Sequence, residues 1–227
     1  LSVLAAGCSL NLPGKPNPAD RPVASDKVLD FDTLYGQNCA GCHGADGRLG
    51  PAPPLNDPIF LAIVPDEELL HVVTEGRPGT PMPAFAQAKA GPLTQAQVEA
   101  LAAGIKPHWG RGKAPAGVPP YAAGKGRGDT ARGREVFAQA CATCHGSDGK
   151  GTKDVGAIHN WAFLALISDQ ALRRIAITGR PRPDLGMPDF AGPRPSVPDF
   201  KPLTSQQVGD LVALLASWRA EGQSHGR

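Results

Sequence analysis

The pentapeptide Cys39-Ala40-Gly41-Cys42-His43 returns, starting at position 141, as Cys141-Ala142-Thr143-Cys144-His145. Two thiols at this spacing can add to the vinyl groups of a haem, and the adjacent imidazole can ligate its iron. Two copies imply two covalently attached haem c groups, held through Cys39, Cys42, Cys141 and Cys144, with His43 and His145 on the irons. Each iron has a second axial position. The chain has two methionines, Met82 and Met187, one downstream of each motif in a Pro-flanked loop. A thioether is a good soft ligand for ferrous iron, and His/Met ligation raises the reduction potential. Filling a core gap is the commoner use of Met, but the one-per-repeat placement points to ligation. The expected metal ligands are therefore His43, Met82, His145 and Met187, and no catalytic residue is expected. A four-Cys zinc site would need neither the trailing His nor the matched Met. A redox C-x-x-C would need a βαβ setting that the sequence does not contain.

Arg77 and Arg180 each follow Gly and precede Pro at the turn leading towards the Met loop. There a guanidinium can pair with a haem propionate; the alternative is a solvated turn residue. His159 stands where the other copy has Asn56, so it reads as a polar loop residue, against a replacement ligand or propionate partner. His71 reads as a helix-surface residue.

These residues must be positioned by something that also repeats. Gly44-Ala45-Asp46-Gly47 matches Gly146-Ser147-Asp148-Gly149, Phe60-Leu61-Ala62 matches Phe163-Leu164-Ala165, and Pro92-Leu93-Thr94 matches Pro202-Leu203-Thr204. In each copy a short helix carrying Leu34 and Tyr35, or Val136 and Phe137, leads into the motif. A second helix is expected over 66–75 and 169–178, the latter N-capped by Ser168. Thr94-x-x-Gln97 and Thr204-x-x-Gln207 have the form of capping boxes. After them Val98, Leu101 and Ile105, or Val208, Leu211 and Leu215, recur at helical spacing. No segment alternates like a hairpin strand, so the fold class is all-α. The predicted organisation is a signal remnant and Pro-rich tether over 1–27, a domain over 28–106, a Pro/Gly-rich connector over 107–128, a second domain over 129–220 and a tail over 221–227. His108, Trp109 and Tyr121 suggest that part of the connector packs against the domains.

Only 5% of the 227 residues are aromatic, so the attached macrocycles would supply much of the apolar bulk. The net charge of +2, without a Lys/Arg block, gives nucleic-acid binding no support. The longest apolar run, 161–167, is far short of the ~18 residues of a membrane span. Leu4-Ala5-Ala6-Gly7-Cys8 resembles the lipobox of bacterial lipoproteins, which implies acylation at Cys8; the alternative is an unmodified Cys in a signal-peptide remnant.

On these motifs each half resembles a class I cytochrome c, and the whole resembles tandem di-haem cytochromes c, over roughly residues 28–220. Pro51 and Pro54 resemble the Pro-rich loop beside the haem His in that family. The second copy has Lys153-Asp154-Val155-Gly156 instead, so the contact is expected to differ there. Thr80-Pro81-Met82-Pro83-Ala84-Phe85 and Gly186-Met187-Pro188-Asp189-Phe190 look like segments of respiratory cytochrome c subunits. The resemblance implies an electron carrier rather than an enzyme, moving single electrons from a quinol-oxidising complex or dehydrogenase to an oxidase or other acceptor. A di-haem peroxidase or sulfur-compound oxidoreductase with one labile axial ligand is the alternative. The implied partners are redox proteins of a membrane complex. The implied location is the bacterial periplasm or the outer face of the cytoplasmic membrane, with a lipid anchor at Cys8.

Overall fold

The computed structural model describes residues 22–110, 112–126, 128–180, 186–192 and 200–225, with side chains as far as 222. Cys8 and most of the tether lie outside the described residues. Ten helices run along the described chain: α1 (Phe31–Asn38), α2 (Ala40–His43), α3 (Pro58–Ile63), α4 (Asp66–Glu75), α5 (Gln95–Trp109), α6 (Thr130–Ala140), α7 (Ala142–His145), α8 (Trp161–Ala165), α9 (Asp169–Thr178) and α10 (Ser205–His225). The described residues contain no strand, only two isolated bridges, Ala86 with Leu93 and Arg180 with Met187. The architecture is all-α, in two tandem halves.

Local chemistry explains where these helices begin. Asp30, Asp57, Asp129, Asn160 and Ser168 each accept a hydrogen bond from a first-turn backbone N–H, which satisfies a donor the helix cannot use. Thr94 and Gln97 cap α5 reciprocally, and Thr204 and Gln207 exchange the same pair of bonds at the start of α10. The helices α4 and α9 match the sequence expectation. Two short ones, α3 and α8, were not expected, because six or five residues are too few to display a period; their Asx caps are the local signal.

In each half the first helix crosses the last and buries an apolar seam. Leu34 and Tyr35 of α1 meet Val98 and Leu101 of α5. Val136 and Phe137 of α6 meet Val208, Leu211 and Trp218 of α10. The helix α5 continues past the expected edge at 106, through Pro107, to Trp109. The Trp109 ring packs edge-on against Tyr35 and Phe31, burial that rewards the extra turn despite the proline.

The connector is riveted to both halves at Tyr121. Its ring lies in the first half's apolar cluster with Phe60 and Leu69. Its carbonyl accepts from Gln170 and Arg173 of α9. Ile59 and Ile63 of α3 pack against the second half's core, so α3 and α9 form the seam between the halves.

Candidate haem-binding sites

Each C-x-x-C-H motif is a single helical turn. Cys42 N–H and His43 N–H both donate to the Cys39 carbonyl at 3.1 and 2.9 Å, and Cys144 and His145 repeat this on Cys141 at 3.2 and 3.0 Å. Residues three apart on a helical turn share a face, which places both thiols of a motif on one side. Among the described residues none of the four motif cysteines is joined in a disulfide.

In the first half the proximal ring is well oriented. His43 Nδ1 lies 3.0 Å from the Pro53 carbonyl. A carbonyl only accepts, so Nδ1 carries the proton and Nε2 keeps its lone pair for iron; such an orienting bond also raises ligand basicity. Burial pushes the His43 pKa below its ordinary value; the Pro53 carbonyl opposes this, and the Arg174 and Arg77 charges reinforce it. The ring is neutral at neutral pH, the form that ligates metal. The acceptor is Pro53, between the two prolines singled out from sequence.

The second half departs as expected. Burial likewise lowers the His145 pKa, with the Gly156 backbone pulling the other way. Its Nδ1, however, is buried without a hydrogen bond of acceptable geometry. The loop over 153–156 brings the Gly156 backbone near this ring, but not into the hydrogen-bond geometry that Pro53 gives His43.

The Met loops are held by glycine and by backbone bonds. Gly76 and Gly179 end α4 and α9 at φ 68° and 69°, in the half of φ space that favours glycine. A Cβ on Gly76 would stand 2.4 Å from the Pro83 carbonyl carbon, and one on Gly179 2.4 Å from the Met187 carbonyl oxygen. No other residue allows the helix end and the Met loop to approach so closely. Arg77 N–H donates to the Met82 carbonyl at 3.0 Å, while Arg180 and Met187 exchange two backbone bonds at 2.8 and 3.0 Å. The structure thus brings each Met to the Arg of its own repeat.

The two arginines differ in their contacts. Arg77 Nη2 donates to Tyr121 Oη at 2.9 Å and approaches Glu68 at 3.5 Å. Arg180 Nη2 crosses between the halves to the Pro51 carbonyl at 3.2 Å. His159 stacks on Trp218 at 4.3 Å and holds the Asp148 carbonyl, the behaviour of a structural loop residue, and His71 is exposed. Sequence reasoning passed over Arg174, which is 7% exposed. Its guanidinium carbon lies 3.4 Å from the centre of the Phe60 ring, and burial pulls its pKa down to about 10, still cationic at neutral pH. A buried charge without an ion pair is costly. A polyanionic cofactor beside it removes that cost, so the donor set and this orphaned cation both fit haem c.

The profile of the family described as "Cytochrome C oxidase, cbb3-type, subunit III" matches residues 26–103 and again 128–215. The chain belongs to this family. It is a di-haem c-type cytochrome with two covalent haem c groups. The chain is 35% identical over 134 residues to the cbb3-type cytochrome c oxidase subunit FixP of Bradyrhizobium sp. (strain ORS 278), covering 55% of this chain and 41% of that protein. With FixP of Rhizobium etli it shares 33% over 148 residues, 61% of this chain and 46% of the relative. The cytochrome therefore spans less than half the length of these curated relatives. In fold it is similar to a chain of the Kuenenia stuttgartiensis reducing HAO-like protein complex Kustc0457/Kustc0458, at 16% identity and a TM-score of 0.46, covering 87% of this chain and 97% of that one. Among the described residues no helix is long and apolar enough to cross a membrane.

Proposed function

We propose that this cytochrome is a two-site relay, carrying single electrons within a membrane oxidoreductase assembly towards a terminal oxidase, and is not itself an enzyme. The assignment to an oxidase rests on the FixP relatives, which are named as oxidase subunits. The observation that carries the relay reading is the duplicated ligand set, with each Met loop bonded at its backbone to the Gly-Arg turn behind it. Haem c, when attached, supplies a one-electron ferric/ferrous couple. Cys39 and Cys42, or Cys141 and Cys144, anchor it. His43 and Met82, or His145 and Met187, would ligate the iron, and a filled ligand set would keep substrate off the metal and limit rearrangement between oxidation states. Arg77 and Arg180, on the turns behind the Met loops, are side chains that would pair with a haem propionate. The protein works in the periplasm or on the outer face of the cytoplasmic membrane, with acylated Cys8 as its tether.

The oxidised holoprotein tests this. A methionine–iron charge-transfer band should report on both haems. Met82→Ala and Met187→Ala should each remove one contribution, lower the potential of that haem and open it to exogenous ligands. Unchanged potentials and no ligand binding in both variants would remove the axial assignment. Reduced protein mixed with a cbb3-type oxidase should be reoxidised at a rate that falls with salt; no reoxidation would move the relay to another acceptor.

A further inference from the structure

Arg173 and Arg174 are neighbours on α9, both buried, and their donors meet different fates. Arg173 is fully engaged: Nε donates to the Pro120 and Tyr121 carbonyls, Nη2 to the Pro120 carbonyl and Ser205 Oγ, and Nη1 to the Ser205 carbonyl. Arg174 Nε and Nη2 are buried and have no acceptor. A guanidinium presents such donors as a fork that matches a carboxylate. A buried donor left without an acceptor carries its full desolvation cost, larger when the group is charged.

Among the described residues none supplies the missing acceptor. Cation–π contact with Phe60 offsets part of the desolvation but satisfies no N–H. The acid whose field reaches Arg174 is Asp57; its carboxylate instead caps α3, accepting from Phe60 N–H at 2.7 Å. Arg77 and Arg180 press on Arg174 with charge of the same sign, so an anion at this position is favoured further. The direction is also set. Arg174 belongs to the second half, but its guanidinium lies on the Phe60 ring of the first, 3.4 Å from the centroid. The equivalent position in the first half is His71, which is exposed, so the repeat does not duplicate the device at that position.

We propose that Arg174 of the second half binds a propionate carboxylate of the haem attached to the first half, so that this haem is gripped by both halves. The inference rests on the two-haem reading and adds a ligand across the seam. Arg174 is a positioning residue: it fixes the propionate, and its charge disfavours ferric over ferrous iron.

The test uses holoprotein, with haem content measured as pyridine haemochrome and the second haem's signals identified in Cys39→Ser/Cys42→Ser protein. Arg174→Gln should shift the first haem's midpoint to lower potential and give it a new pH dependence, because the freed propionate then titrates. The second haem should not move. Arg174→Lys, which keeps the charge, should restore most of the potential. If Arg174→Gln fails to retain the first haem while Arg174→Lys retains it, the anchoring role is supported. An unmoved first midpoint with both haems attached would overturn the proposal. So would a shift confined to the second haem, or equal loss of both haems in both variants, which would assign Arg174 to packing. Wild-type protein lacking covalent haem would instead sink the haem reading itself.

Discussion

At the crossing of first and last helices the two halves solve one packing problem in mirrored ways. In the first half the Phe31 ring of α1 lies on Gly104 of α5; a Cβ there would stand 2.3 Å from the ring. In the second half Gly133 of α6, which aligns with Phe31, faces Leu214 of α10, which aligns with Gly104; its Cβ would lie 2.2 Å from the Asp210 carbonyl oxygen and 3.0 Å from Leu214 Cβ. Large-on-small became small-on-large. Aligned as sequences, these are two unrelated substitutions; in the fold they are one exchange that keeps the volume of the crossing. The cofactor surroundings show no such compensation. His43 holds the Pro53 carbonyl in good hydrogen-bond geometry, while the Gly156 backbone near His145 Nδ1 is out of it. Phe60 is 2% exposed beneath Arg174, and its equivalent Phe163 is 38% exposed. The halves share a scaffold and differ in what surrounds each iron.

The largest expected effect tests independence of the halves. Cys39→Ser/Cys42→Ser and Cys141→Ser/Cys144→Ser should each remove the covalent haem of one half, cutting c-type absorbance per chain by about half. Full absorbance after either change would refute attachment at that motif.

The mirrored crossing makes the next prediction asymmetric. Gly133→Ala drives a methyl into the Asp210 backbone and should cost about 1–3 kcal/mol, the usual range for overpacking. Gly104→Ala meets only a half-buried ring that can turn aside, and gains up to about 1 kcal/mol of helix propensity, so it should be close to neutral in thermal unfolding. Equal costs would break the comparison, and Phe31→Gly with Gly104→Leu should be tolerated better than Gly104→Leu alone.

Acid should separate the halves too. Asp210, 1% exposed, accepts from Arg132 Nε and Nη2, Gln206 and the Asp129 N–H. The Arg132 bonds lead in holding its pKa down at about 2. Its folded pKa lies below the unfolded one, so its stabilisation is present above about pH 4 and is lost as pH falls towards 2. With Arg132 largely solvated, this is worth about 1–2 kcal/mol. The equivalent of Asp210 in the first half is Ala100. Asp210→Asn should flatten the acid limb of unfolding in the second half only; an unchanged limb would count against the pair.

The smallest effect concerns the proximal rings. One orienting hydrogen bond is worth about 0.5–1.5 kcal/mol. In denaturant the low-spin spectrum of the second haem should therefore be lost slightly before that of the first. The reverse order would show that the Pro53 bond does not protect His43.

The duplication and the helices with strong caps or long apolar periods were legible in the residues, and the cysteines, histidines and methionines proposed to hold the haems were read from the same repeat. These are local: a thiol spacing, a capping box or a Gly before Arg-Pro acts within a few positions of itself. The short helices α3 and α8 escaped because their evidence is a single cap, and the last turn of α5 escaped because Pro107 argues against helix until Trp109 is seen against Tyr35. The folded chain alone decided that Pro53 orients His43, that Gly133 and Gly104 are partners in one exchange, and that an arginine of one half stands on a buried ring of the other. Each joins residues far apart along the chain, and spacing within a repeat carries no information about which surfaces of two repeats will meet.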